Sequence, residues 1–114
     1  MMMLIVEDNT EFRSVIREVL GLANTEVLEL DDGNEVLEAY QKFHPDWVLM
    51  DVRMKQMNGF KSTRLLTTEF PEARVIIVTQ YDEPAFQKQA FDAGACGFVS
   101  KEHLDEIIHI IQQR

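Results

Sequence analysis

Glu7-Asp8, Asp51, Thr79 and Ser100-Lys101 are the residues of this 114-residue chain whose types and spacing could do chemistry. Each follows a short apolar run, so each stands where a buried strand would end and a loop would begin. If those runs are neighbouring strands, three carboxylates meet with a formal charge of −3, which Lys101 reduces only to −2. Like charges so close raise one another's pKa and destabilise the site unless a cation compensates. A divalent ion brings the sum to zero. Oxygen donors with places left for water suit Mg²⁺, for which Mn²⁺ can substitute. Zinc would want His or Cys, and His44, His103 and His109 show no ligand spacing, which leaves them as surface or packing residues.

Beside such an ion a carboxylate can also attack phosphorus and become an acyl phosphate, which splits one transfer into two. Phosphoryl transfer needs in-line positioning and neutralised equatorial oxygens. Mg²⁺, the Lys101 ammonium, the Thr79 hydroxyl and backbone N–H groups after Asp51 could share that work. Asp51 is the best nucleophile, because it belongs to the central strand and precedes a loop containing Gly59; Glu7 and Asp8 suit metal binding, Glu7 through water. Singly, each residue has a plainer explanation. Asp8 could cap the helix that follows, Thr79 could end a strand and Lys101 could be solvated. The joint arrangement is what favours a site.

The elements that must position these groups are legible as apolar runs at Met2–Val6, Glu26–Leu30, Trp47–Met50, Val75–Val78 and Gly97–Val99. Four are almost wholly apolar, as parallel strands buried on both faces are, whereas Glu26 and Glu29 mark the second as an edge strand. Amphipathic stretches alternate with them. Phe12, Val15, Ile16, Val19 and Leu20 form one stripe, stopped at Gly21. Asp31-Asp32-Gly33 offers a turn and cap before Val36, Leu37 and Tyr40; its acids belong to the edge, away from the cluster. Gly59 opens a third segment with Phe60, Leu65, Leu66 and Phe70. Pro84 suits the first turn of a fourth, with Phe86, Ala90 and Ala93, ended by Gly94; Leu104, Ile107, Ile108 and Ile111 complete a fifth. Five βα units predict an α/β three-layer sandwich, a parallel sheet covered on both faces, with function at the carboxyl ends of its strands.

Composition fits one soluble domain over residues 1–114, with 46% hydrophobic and 27% charged residues. Twenty acidic against 11 basic residues give a net charge of −9. That balance argues against direct nucleic-acid binding and against an anionic membrane surface. Cys96 is the lone cysteine, so no intrachain disulfide forms and a reducing, cytoplasmic compartment is expected, with the thiol packed beside Ala95 and Gly97. The opening Met1–Val6 ends at once in acids and does not read as a signal peptide, and no apolar run is long enough to span a bilayer.

Taken together, Leu4-Ile5-Val6-Glu7-Asp8-Asn9, Asp32-Gly33, Val48-Leu49-Met50-Asp51-Val52-Arg53-Met54, Met57-Asn58-Gly59, Ile77-Val78-Thr79 and Ala93-Gly94-Ala95 through Gly97-Phe98-Val99-Ser100-Lys101 resemble the receiver domain of two-component response regulators, over the whole chain. The resemblance implies a flavodoxin-like, CheY-like sheet of order 2-1-3-4-5, and phosphorylation of Asp51 by a sensor histidine kinase or histidine phosphotransfer protein. It implies Mg²⁺ on Asp8, Asp51 and the Arg53 backbone carbonyl, with Glu7 assisting. Thr79 would contact the phosphoryl group, Lys101 would pair with it, and Phe98 would match the switch aromatic, its alternative being a core phenylalanine. The surface of helix four, strand five and helix five would then change toward an unknown output partner, with a homodimer through that surface possible. Such a domain catalyses only its own phosphorylation and dephosphorylation. Three positions depart from the family's habit: Lys55 and Glu102 where proline is common, the latter bearing on a cis peptide, and Gln80 where a small residue is common. The departures at Glu102 also resemble receivers joined to helix-turn-helix transcription factors.

Three other readings compete. A phosphatase with an Asp nucleophile would want a second acid where Arg53 stands. A receiver fold that no longer takes phosphate draws support from Lys55 and Gln80. A flavin or nucleotide site lacks a Gly-rich cradle, and acids after the first strand would repel a ligand phosphate.

Overall fold

The apolar runs pair side by side as one parallel five-stranded sheet of order β2-β1-β3-β4-β5. In the computed structural model, which describes residues 1–53, 58–81 and 83–113, the strands are β1 (Met2–Val6), β2 (Glu26–Leu30), β3 (Trp47–Asp51), β4 (Val75–Thr79) and β5 (Gly97–Ser100). The helices are α1 (Thr10–Val19), α2 (Val36–Phe43), α3 (Gly59–Glu69), α4 (Pro84–Asp92) and α5 (Asp105–Gln112), with short 3-10 turns at Leu22–Asn24 and Gly33–Glu35. The expected sheet order and edge strand are both present: Glu26 and Glu29 on β2 are exposed.

Strand period two sorts the core into two layers. Met3, Ile5, Trp47, Leu49, Ile76, Val78 and Val99 pack with Ile16 of α1 and Leu104 and Ile107 at α5. Leu4, Val6, Val48, Met50, Val75 and Ile77 pack with Val36 and Tyr40 of α2, Leu66 of α3 and Ala90 of α4. Apolar side chains thus leave on both sides of β1, β3 and β4, which is why those sequences show little polar alternation.

The structure shifts two expectations in detail. β3, β4 and β5 each run one residue further than their apolar runs, because Asp51 pairs with Val78 and Thr79 pairs with Ser100 in the ladder. Asp51 and Thr79 are therefore strand residues, held by β hydrogen bonds rather than by loops. Second, the apolar stripes of α1 and α3 are not wholly inward. Val15, Val19 and Leu65 are exposed. On α3 the sheet side is instead made by Gly59, Ser62, Thr63 and Leu66, because close helix-to-sheet approach there needs small side chains. No cis peptide occurs among the described residues, so the bond before Glu102 is trans. Lys55, together with Met54 and Met57 of the motifs quoted above, lies outside the described residues.

Local signals explain where the helices begin and stop. Asn9 Oδ1 accepts from Phe12 N at 2.9 Å and Asn58 Oδ1 from Lys61 N at 2.9 Å, each capping a helix start. Pro84 occupies the first turn of α4. Gly94 follows α4 with φ 104, a conformation that favours glycine.

Gly59 sets how closely α3 sits against the end of β3. Its N–H donates to Val52 O at 2.8 Å, and a Cβ at this position would collide with the Asp51 carbonyl oxygen. Gly59→Ala should therefore lower the free energy of unfolding by about 1–3 kcal/mol. Urea denaturation checks this, and a change near zero would contradict the close approach.

Candidate functional site

The two-layer sorting also decides which side chains meet beyond the strand ends. Glu7 extends the β1 ladder, its N–H donating to Leu30 O at 2.9 Å, and Lys101 extends β5, its N–H donating to Thr79 O at 2.8 Å. Glu7 follows the parity of Met3 and Ile5, Asp51 that of Trp47 and Leu49, and Lys101 that of Val99. All three are on the α1 and α5 side of the sheet. Thr79 follows Val75 and Ile77, and Phe98 belongs to the same opposite layer.

At the centre, Lys101 Nζ lies 2.8 Å from Glu7 Oε1 and 3.5 Å from Asp51 Oδ1. Glu7 is 2% exposed and Asp51 6%. Oxygens of Glu7, Asp8 and Asp51 come within 4.8 Å of one another. Asp8 does not cap α1, since Asn9 does, so its carboxylate is left for this cluster. Glu7 is oriented by Asn9 N–H, which donates to Oε2 at 3.1 Å. A cavity of about 210 Å³ opens over the cluster, lined by Glu7, Asp8, Asn9, Asp51, Arg53, Gln80, Tyr81 and Lys101.

Burial first and the neighbouring Glu7 carboxylate second push the Asp51 carboxyl up from 3.8 to about 6, against the opposing Lys101 ammonium. One ammonium does not balance the cluster. Three carboxylate donors, two of them buried, beside room for water match a hard divalent cation. Lys101 itself is steadied by the Phe12 ring, whose centroid is 4.4 Å from Nζ.

The outer rim contains Tyr81, which sequence reasoning left out, beside Arg53 and Gln80, which it named. Tyr81 lines the cavity, the Arg53 guanidinium lies 4.5 Å from its ring centroid, and Gln80 Nε2 donates to its hydroxyl at 3.0 Å. Arg53 and Tyr81 are far apart in sequence, so nothing in the chain announces the pair. Thr79 is 1% exposed; its Oγ1 accepts from Tyr81 N at 3.1 Å. That bond uses an oxygen lone pair and leaves the hydroxyl proton available to another acceptor. Phe98 is half-buried against the α2, α3 and α4 layer, with Ile77 its β4 partner. Asp32 stands apart at the edge, where it caps Asn34 N at 2.9 Å. The histidines lie outside the cluster, and His44 packs tilted against Tyr40 and edge-on against Phe70.

With that geometry in hand, comparisons with known proteins agree in one direction. Residues 3–112 match the family model described as response regulator receiver domain. The response regulator GacA of Pseudomonas aeruginosa is 34% identical over 115 residues, an alignment covering 96% of this chain and 53% of GacA. The chemotaxis protein CheY of Thermotoga maritima is 32% identical over 99 residues, covering 86% of this chain and 82% of CheY. A solved LuxR-family two-component response regulator from Aurantimonas sp. SI85-9A1 superposes with TM-score 0.90 at 29% identity, covering 98% of this chain and 82% of that one. The chain spans about half the length of several curated relatives, GacA among them.

The raised Asp51 pKa makes the site a pH-dependent liability without metal. The folded chain keeps a proton at Asp51 between 3.8 and about 6, where the unfolded chain has released it. Stability therefore falls as pH rises through that window, and the full cost, at most about 3 kcal/mol, is present above it. In chelator, Asp51→Asn should be about 1–3 kcal/mol more stable than the unaltered chain at pH 7.5, with the gap closing below pH 4. Urea denaturation across pH reads this out. A variant less stable at pH 7.5, or a gap independent of pH, would contradict it.

Proposed function

The chain belongs to the response regulator receiver domain family, and from that premise we propose that Asp51 accepts a phosphoryl group, with Mg²⁺ held by Asp8, Asp51 and the Arg53 backbone carbonyl and assisted by Glu7. The family is a signalling domain of two-component systems and not a metabolic enzyme, and its receivers bind Mg²⁺ at an acidic pocket. The observation that carries the reading is Lys101 Nζ between Glu7 and Asp51, beside Asp8 and under an open cavity.

In the proposed step, an Asp51 carboxylate oxygen attacks the phosphorus of a phosphohistidine on a sensor kinase or phosphotransfer protein. The new P–O bond forms as the P–N bond breaks, and the imidazole leaves. Bound Mg²⁺ would neutralise carboxylate and phosphoryl charge. Lys101 contributes a cation already at the nucleophile, and Thr79 contributes a hydroxyl proton toward a phosphoryl oxygen. Burial of Asp51 excludes bulk water from its back side, while the cavity admits the donor from the front.

The added group brings about −1.5 to −2 charge at neutral pH. Lys101 and Thr79 are joined by the Lys101 N–H to Thr79 O bond, so a pull on either moves the ends of β4 and β5 together. Phe98, which shares the layer of Thr79, then turns inward, and the face of α4, β5 and α5 shifts between two populations with different partners. GacA is a response regulator, the DegU relative of Brevibacillus brevis is a transcriptional regulatory protein, and this chain spans about half of each. By that analogy the output is control of transcription through a further domain.

Incubation with Mg²⁺ and acetyl phosphate followed by intact mass measurement tests the reading. The expected result is a gain of one phosphoryl group that requires Mg²⁺ and disappears in Asp51→Asn. No gain, or a gain that survives in Asp51→Asn, would overturn it; sustained turnover of acetyl phosphate over many cycles would point to a phosphatase.

A further inference from the structure

Arg13 has no part in the chemistry above, yet the acidic loop hangs on it. Its Nη1 donates to the Glu7 carbonyl oxygen at 2.6 Å and its Nη2 donates to Thr10 Oγ1 at 3.2 Å. Its Nε lies 3.0 Å from Glu29 Oε1 on β2, while the other Glu29 oxygen receives Arg17 Nη1 at 2.9 Å. The Arg13 side chain is 17% exposed, so water competes little for these contacts. One planar fork therefore joins the end of β1, the start of α1 and the edge strand. Between its first two attachment points lie Asp8 and Asn9, one a candidate metal ligand and the other the donor that orients Glu7.

We propose that Arg13, braced by Glu29, is a positioning residue that holds the Glu7-Asp8 loop in the geometry that binds a divalent cation. This rests on the metal reading above and deepens it. A guanidinium presents several donors in a rigid plane, which is what three simultaneous contacts in different directions require; a lysine ammonium at the same place cannot reach all of them. Glu29 pairs with the guanidinium through charge, its Oε1 3.0 Å from Nε without hydrogen-bond geometry, and its second oxygen is occupied by Arg17, so the brace cannot move away without breaking a second ion pair.

The sign of the effect separates positioning from charge. A cation beside an acidic site repels Mg²⁺, so if Arg13 acted through charge alone, Arg13→Gln would tighten Mg²⁺ binding and Arg13→Lys would leave it unchanged. Positioning gives the reverse: both variants bind Mg²⁺ about tenfold more weakly. Calorimetric Mg²⁺ titration of the full chain measures this. Amide hydrogen exchange in Mg²⁺-free buffer supplies a second readout, in which Asn9 N–H exchanges faster in Arg13→Lys while Ile77 in the central sheet keeps its protection. Tighter binding by Arg13→Gln, or unchanged binding and unchanged Asn9 exchange in Arg13→Lys, overturns the proposal. If Arg13→Gln fails to fold, Arg13→Lys decides. Failure of the unaltered chain to bind Mg²⁺ would instead sink the metal reading, and the Asn9 exchange would still judge the role of Arg13 in holding the loop.

Discussion

Two carboxylates are buried beside a third with one ammonium between them, and most of the site follows from that imbalance. Glu7 and Asp51 have given up nearly all contact with water. Charged groups are costly in such a place unless paired and hydrogen-bonded. Lys101 pairs with both and Asn9 N–H helps Glu7, but the sum stays negative and Asp51 responds by holding its proton more tightly. The chain thus keeps a charge deficit in reserve, and a divalent cation followed by a phosphoryl group is the chemistry that such a deficit can use.

The fold maintains the deficit through strand parity. Extending β1 and β5 by one ladder bond each brings Glu7 and Lys101 to the same side of the sheet as Asp51. Thr79 and Phe98 fall on the other side by the same rule. Nucleophile and counter-cation therefore share one layer, while the hydroxyl and the aromatic share the layer of α3 and α4. A signal that links them must cross the sheet, and the backbone bond from Lys101 to Thr79 is a direct crossing. Gly59 seats the start of α3 directly against the Asp51 backbone, where a Cβ has no room.

Much of this was legible in the residues. Apolar runs separated by amphipathic stretches gave five βα units, and the glutamates of β2 marked its place at the edge. Glu7, Asp8, Asp51 and Lys101 could be gathered because each stands at or just past the end of an apolar run, and parallel strands deliver their carboxyl ends to one rim. Finer features depended on distances that no periodicity encodes. Ser62 and Thr63 share the buried face of α3 with the expected Leu66 while Leu65 turns outward, because small size outweighed polarity where helix meets sheet. Val15 and Val19 continue the apolar stripe of α1 onto its exposed side. The Arg53–Tyr81 contact and the Arg13–Glu29 ion pair join residues distant in sequence, with no local pattern to reveal them.

The central claim is that Glu7, Asp8 and Asp51 form one hard-cation site. Crystals grown with Mn²⁺ near neutral pH and measured for anomalous scattering test it most directly. The account predicts a peak in the cavity bounded by Asp8 and Asp51, with Glu7 within reach of a metal-bound water. A peak elsewhere on the acidic surface, with these three carboxylates left bare, would contradict it.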